Sequence, residues 1–327
     1  MAPVEVEFGP VQTPNEAKFV SSIGLPFLQA AQNEDGGWGF RAGSQSRIEA
    51  TSWALLTLRG RDSTTEIQQL GFRFLRAMQL PDGSWPSAVA QNVGCWATSL
   101  AAWALLADPE SRTAVAAALR WICVDWPRGS SFITRMIRKI AATSQVTSQN
   151  HSLRGWGWTP HTASWVEPTA FALIALDQAP KDLLPSNANS RGELARALIF
   201  DRMCPGGGWN CGNPMVYGVP GDPLVEPTVW ALLALRDEPN RRESLMSLEW
   251  LEKNVTAGLG PGSLALARIC LETYGRAWPE IAPQLGDQYE TSQFLESVPV
   301  MAWTCLALSP REGWLDAGAE GRADAVR

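Results

Sequence analysis

Two kinds of apolar pattern alternate along the chain. Segments such as "NEAKFVSSIGLPFLQAAQ", "TTEIQQLGFRFLRAMQ", "ESRTAVAAALRWICV", "RGELARALIF" and "RRESLMSLEWLEKN" place apolar residues at three- and four-residue intervals, with charges on the other face. That is the pattern of helices wet on one side. Interspersed with them stand "EATSWALLTL" from Glu49, "WATSLAAWALL" from Trp96, "EPTAFALIAL" from Glu167, "EPTVWALLAL" from Glu226 and "VPVMAWTCLAL" at residues 298–308. These are apolar nearly all round, which predicts buried helices. The two-residue alternation of a strand is absent. Together they predict an all-α fold, an α/α barrel (toroid) of five to six concentric helix pairs. The expected organisation is one domain over residues 1–327, with peripheral tails at 1–14 and 312–327.

The chain also repeats itself. Glycine- and tryptophan-rich turns recur as "QNEDGGWGF" (residues 32–40), "QLPDGSW" (79–85), "RGWGW" (154–158) and "CPGGGWNCG" (204–212). The buried helices that follow align on Thr51, Thr98, Thr169 and Thr228, spaced by 47, 71 and 59 residues. Glycine allows positive φ and close backbone approach in such turns. Asp35 and Asp82 are placed to accept from backbone donors. The tryptophans can pack across the junction and donate the indole N–H. Gln32 and Gln79 end outer helices and are placed to bridge to the next repeat. The turns therefore read as structural staples.

Composition narrows the function classes. Apolar residues make up 45% of the chain and charged residues 18%, enough for a large core and against disorder. The net charge is −6 with a sequence pI of about 5.2, and no basic cluster stands out. Nucleic acid is therefore not expected as a partner. The two histidines, His151 and His161, do not suffice for a multi-histidine metal centre. The N-terminal stretch has neither a basic n-region nor an apolar h-region, so no secretory signal is expected. No window offers about 18 uninterrupted apolar residues, so no transmembrane helix is expected either. A cytoplasmic protein with reduced thiols fits the six scattered cysteines. Cys204 and Cys211 share a glycine-rich loop but lack zinc-type partners nearby. No metal or other cofactor is expected.

One segment breaks the repeat. Residues 129–150, "GSSFITRMIRKIAATSQVTSQN", lengthen the third interval, and 130–141 are basic and amphipathic. This stretch is open to three readings: an inner helix of an irregular repeat, a flap over the cavity, or a helix making peripheral membrane contact.

The candidate chemistry lies in the twice-written Glu-Pro-Thr. Proline suits the first helical turn, glutamate suits the positive end of the helix dipole, and threonine can bond within the turn. These are structural reasons. The functional reason is placement, because inner-helix N-termini of such a barrel converge on one mouth of its cavity. Glu49, Glu167 and Glu226 would then face a space lined by Trp, Phe and Leu. Carboxylates gathered in an apolar pocket perturb one another, and one stays protonated. A protonated acid facing aromatic rings is what a cation-forming cyclisation requires. Trp53, Trp96, Trp103, Trp165, Trp230 and Trp303, with Phe171 and Tyr289, are the candidate substrate contacts. Trp38, Trp85, Trp156, Trp158 and Trp209 belong to the turns.

The turn motifs resemble the QW repeats of squalene-hopene and oxidosqualene cyclases, shared more loosely with protein prenyltransferase β subunits. The resemblance covers roughly residues 20–310 and is more specific for the fold than for the chemistry. Class II terpene cyclases normally carry two such barrels. This chain has room for one, and so looks like the monodomain class II cyclases that fold meroterpenoids. Their acid motif is Asp-x-Asp-Asp-Thr-Ala. Laid over "WVEPTA", it matches Thr169 and Ala170 and puts Glu167 on the proton donor. Trp165 and Pro168 replace the flanking aspartates. Glu226 and Glu49 fall at equivalent places in their own repeats, and His161 stands six residues before Glu167 as an assisting group. The resemblance implies metal-independent protonation of an alkene or epoxide in a linear prenyl or meroterpenoid substrate. The leading acid is Glu167, then Glu226, then Glu49.

A second overlay, on the zinc segment of the prenyltransferases, fails. In "DQYETSQF" (287–294) Glu290 takes the histidine position, and Glu226 and Thr228 take the Asp-x-Cys pair. Two alternatives to cyclisation stay open. One is a non-catalytic binder of a hydrophobic ligand or peptide on the same fold. The other is an α/α-barrel enzyme acting on carbohydrate, where paired carboxylates also occur.

Overall fold

In the computed structural model residues 14–88, 90–124, 149–150, 152–309 and 315 are described. The three readings of residues 130–141 fall outside them, as do the expected tails apart from Pro14 and the buried Leu315.

Among the described residues six buried helices form a closed ring. They are α3 (Ile48–Leu58), α5 (Ala97–Leu105), α7 (Val166–Gln178), α9 (Val225–Ala234), α11 (Pro261–Thr273) and α13 (Val298–Leu308). Each packs on the next, and α13 packs back on α3. The outer layer is α1 (Pro14–Phe19), continued through a π turn into α2 (Leu25–Ala30), then α4 (Thr65–Ala77), α6 (Arg112–Cys123), α8 (Ala188–Asp201), α10 (Arg242–Asn254) and α12 (Ile281–Ser292). Helices α4, α6, α8, α10 and α12 each pack on the inner helix before them in the chain, and α1 and α2 pack on α13. The architecture is the expected α/α barrel, with six pairs.

The pair α11 and α12 has no counterpart in the apolar pattern. Helix α11 is an inner helix that carries two charges, Arg268 and Glu272. Arg268 is only 5% exposed, and its guanidinium is held by both Glu16 oxygens at 3.1 and 3.2 Å and by Glu272 at 2.7 Å. A buried charge survives only when it is paired in this way. Among the described residues the one strand ladder is a short hairpin, β1 (Met215–Val216) with β2 (Val219–Pro220). Tyr217 and Gly218 at its tip both have positive φ, 52° and 77°, as a tight hairpin turn demands.

The turns are the staples that the sequence suggests, and the aligned threonines are part of them. The Thr51, Thr98, Thr169 and Thr228 hydroxyls accept from the backbone N–H of Trp38, Trp85, Trp156 and Trp209 at 2.8–2.9 Å. The four indole N–H groups donate to Leu28, Leu75, Ile122 and Ile199 carbonyls on outer helices, at 2.6–2.9 Å. Each tryptophan thus ties an inner helix to an outer one. Gln32 and Gln79 donate to their own turns (Gly36 and Gly83) and to the following outer segment (Ile67 and Ala114). Positive φ at Gly36 and Gly83, 86° and 89°, explains why those two positions are glycine.

Replacing Thr98 by valine keeps the volume but leaves the buried Trp85 N–H without its acceptor. Such a loss costs about 1–3 kcal/mol. Thermal melts of Thr98→Val and Thr98→Ser test this: the valine variant is expected to melt several degrees lower and the serine variant near the wild type. A valine variant that melts with the wild type would show the staple to be idle.

Candidate functional site

The inner helices all begin at one end of the ring. The segments leading into them are cross-linked there. Trp96 N–H donates to the Trp158 carbonyl at 3.1 Å, and Val166 N–H to the Cys211 carbonyl at 3.3 Å. Val298 N–H reaches the Phe40 carbonyl at 3.0 Å. The Ser263 hydroxyl on α11 donates to the Glu226 carboxylate on α9 at 3.0 Å.

Glu49, Glu167 and Glu226 are each the second residue of their helix. Trp96 holds the corresponding place ahead of α5. A helix N-terminus favours the ionised form of a carboxyl, yet here burial outweighs it at two of the three sites. Burial pushes the Glu49 carboxyl up to about 7. Glu167 is also pushed up to about 7, by burial first and by the Glu226 carboxylate second. Glu226 itself is exposed. The mouth therefore holds two acids raised to about 7, and Glu226 stands in solvent next to one of them. Among the three, Glu49 and Glu167 are half-buried and Glu226 is the one in solvent.

One turn deeper, four positions past each glutamate, stand Trp53, Phe171 and Trp230. Their rings meet on the barrel axis. Trp53 stacks on Trp230 at 5.2 Å between centroids, and it meets Trp103, Trp303 and Phe171 edge-on at 5.9, 5.6 and 6.2 Å. Phe171 meets Trp230 edge-on at 4.9 Å and stacks with Trp96 at 5.5 Å. Trp53, Trp103, Phe171 and Trp230 are at most 5% exposed, so little open space lies against them. This narrows the expected aromatic-walled hollow: below the first turn these rings occupy most of the axis, and Trp303 at the same level stays half-buried. Large rings from equivalent positions on neighbouring helices pack as an interior does, without voids. What remains open is the mouth above them, with half-buried Trp96, Trp158 and Trp165 at its edge, while Trp303, level with Trp53, is half-buried as well.

Other predicted contacts lie apart. Tyr289, on outer helix α12, sits edge-on to Phe19 of α1 and to Phe294, both at 5.2 Å. It seals two outer helices and does not reach the aromatic cluster, a correction that follows from α12 being an outer helix. His161 occupies an exposed turn with φ of 66°. It lines a cavity of about 50 Å³ together with Cys95, Trp96, Pro168 and Arg191. Trp165 stands at the N-cap of α7, where its N–H donates to the Trp156 carbonyl at 2.9 Å. Sequence reasoning missed Ser263, because α11 went unrecognised. It also assigned Trp158 to the turn alone, although its ring packs edge-on to Trp96 at 5.2 Å. The six thiols are unbridged, with Cys204 buried and Cys211 half-buried.

No protein-family model matches the chain, and no curated protein matches it. Solved structures do. A variant of the type II terpene cyclase MstE from Scytonema, in complex with the product merosterolic acid A, aligns with a TM-score of 0.57 at 13% identity. The alignment covers 90% of this chain and 96% of that one. A novel alpha-amylase from Clostridium perfringens aligns equally well, with a TM-score of 0.57 at 12% identity over 90% and 99% of the two chains. The endoglucanase Cel10 from Klebsiella pneumoniae, a family 8 glycosyl hydrolase, gives 0.53 at 13% identity over 88% and 97%. At such identities the likeness shows the fold, an α/α barrel common to a terpene cyclase, an amylase and an endoglucanase.

Proposed function

We propose that the chain is an acid-initiated cyclase of the class II terpene type, acting at the mouth of the inner ring on a linear prenyl or prenyl-aryl substrate. The observation that carries this reading is Glu167, a carboxyl that keeps its proton to about pH 7 directly above stacked aromatic rings. Desolvation raises it, and desolvation is also what an apolar substrate would supply. An acid of this strength suits an epoxide oxygen better than an isolated alkene, since the oxygen is much the stronger base.

In the step proposed, the Glu167 proton passes to the epoxide oxygen and the C–O bond breaks. The neighbouring alkene closes a C–C bond, and the resulting cation loses a proton to a carboxylate, so the product is an isomer of the substrate. Aromatic faces stabilise such a cation by about 0.5–2 kcal/mol each. Trp96, at the rim and stacked on Phe171, is the ring best placed to do so. Glu49 is the second candidate acid. Because the axis is packed, the substrate lies across the mouth and not within the barrel.

A second reading has its own observation. Glu167 is half-buried and Glu226 exposed within electrostatic reach of each other, an asymmetry that glycosidase carboxylate pairs also show. One experiment separates the two. Incubation with farnesyl, geranylgeranyl and aryl-prenyl substrates and their terminal epoxides, with and without chelator, is expected to yield a product of unchanged mass in both conditions. Parallel incubation with α- and β-glucans is expected to release no reducing ends. Reducing ends without isomerised prenyl product would replace the cyclase reading with the glycosidase one.

A further inference from the structure

One turn of the backbone winds left-handed. Gln293, Phe294, Leu295 and Glu296 have φ of 46, 51, 52 and 58°, and none of them is glycine. Such a turn is disfavoured at every residue that carries a side chain, because Cβ crowds the following carbonyl. Elsewhere among the described residues most positive-φ positions are glycines, Gly36 and Gly83 of the staples included. Packing explains Phe294 alone, whose ring is 3% exposed and stands edge-on to Tyr289. Leu295 is 66% exposed, and Gln293 and Glu296 are exposed as well. An outward leucine on a disfavoured backbone gains nothing for the fold. Strain of this kind persists where the surroundings fix it and a ligand contact uses it.

The surroundings that fix it are the entry to α3. Ala42 N–H donates to the Glu296 carbonyl at 3.4 Å, Val298 N–H to the Phe40 carbonyl at 3.0 Å, and Arg41 bridges to Ser297. The turn therefore sits on the rim of the mouth, just ahead of α13. In the closed ring α7 is the third inner helix and α13 the sixth, so the two stand opposite each other. With neighbouring axes about 8–10 Å apart, opposite helices are about 16–20 Å apart. Glu167 opens α7, and Leu295 stands ahead of α13 on the far side. A geranylgeranyl chain laid across the mouth spans that width, whereas a geranyl chain does not.

We infer that Leu295 is a specificity residue, the apolar contact for the part of a long prenyl substrate that lies farthest from Glu167. Phe40, 44% exposed, extends the same rim. Exposed Arg41 and Glu296 flank it with one charge of each sign, so the rim offers an uncharged chain a seat with no net charge. This role rests on the cyclase reading of Glu167. A contact so far from the reacting atoms holds ground state and transition state alike, and therefore acts on KM.

Kinetics of isomer formation from the terminal epoxides of geranyl-aryl and geranylgeranyl-aryl substrates test it. Leu295→Asn installs a residue that tolerates positive φ and removes the apolar contact. It is expected to raise KM for the geranylgeranyl substrate about tenfold. Its kcat, its KM for the geranyl substrate and its melting temperature are expected to match the wild type. Leu295→Gly relieves the backbone and is expected to melt at or above the wild type, with the same loss in KM. If the wild type forms isomer and neither variant alters the KM ratio of the two substrates, Leu295 has no such role, and the cyclase reading stands. An equal loss for both substrates with a lower melting temperature would make the turn structural and overturn the role as well. No isomer from the wild type removes the cyclase reading and the role of Leu295 with it.

Discussion

Trp53→Ala is expected to destabilise the fold by about 3–5 kcal/mol, toward the upper end of that range. The indole is 1% exposed and touches four aromatic rings from four other inner helices. Its removal deletes the one side chain that all of them share, and each aromatic pair adds about 0.5–1.5 kcal/mol beyond area burial. The helices are fixed on their outer side by the threonine–tryptophan staples, so the ring cannot collapse to fill the gap. A dry cavity of indole size should remain. Denaturant unfolding measures the loss, and a small aromatic ligand is expected to raise the melting temperature of the variant but not of the wild type. A loss below about 1 kcal/mol, with no ligand effect, would mean that the axis is loosely packed and that the barrel holds a hollow after all.

That result bears on what the chain discloses before folding. The alternation of wet and fully apolar helices was legible because each inner helix touches protein on every side. Helix α11 broke the rule locally through Arg268, whose partner Glu16 lies 252 residues away. No window of sequence contains both. The aligned threonines were visible as a repeat, but their work was not, since each hydroxyl serves a tryptophan 13 or 19 positions earlier.

The three mouth glutamates were likewise visible as a set. Their difference in burial was not, because it depends on what neighbouring loops cover. Glu226 lies between exposed Leu224 and the small Ser263 and stays in solvent, whereas Glu49 is covered. The packed axis was open to inference and was missed. Trp53, Phe171 and Trp230 share one register relative to their threonines, so their rings had to meet at one level of a six-helix ring.

Glu167→Gln is expected to lower turnover by about 10²–10⁴-fold, the usual contribution of a positioned proton donor. The same substitution is expected to stabilise the protein at alkaline pH. In the folded chain the Glu167 carboxyl keeps its proton to about 7, against 4.5 for the unperturbed group. Between those values the folded state binds more protons than the unfolded one, so stability falls as pH rises through the window. Above about 7 the whole cost of a buried carboxylate is present, on the order of 1–2 kcal/mol once solvent screening is allowed for. Glutamine carries no charge and removes that cost. The variant should therefore melt higher than the wild type at pH 8.5 and close to it at pH 5, while wild-type activity falls above about pH 7 as the acid ionises. Loss of activity by misfolding would move stability the other way. Activity lost in Glu49→Gln but kept in Glu167→Gln would transfer the role to Glu49, whose carboxyl is raised to the same value. Activity kept in both would leave the mouth with no acid at work, and the cyclase reading would fall with it.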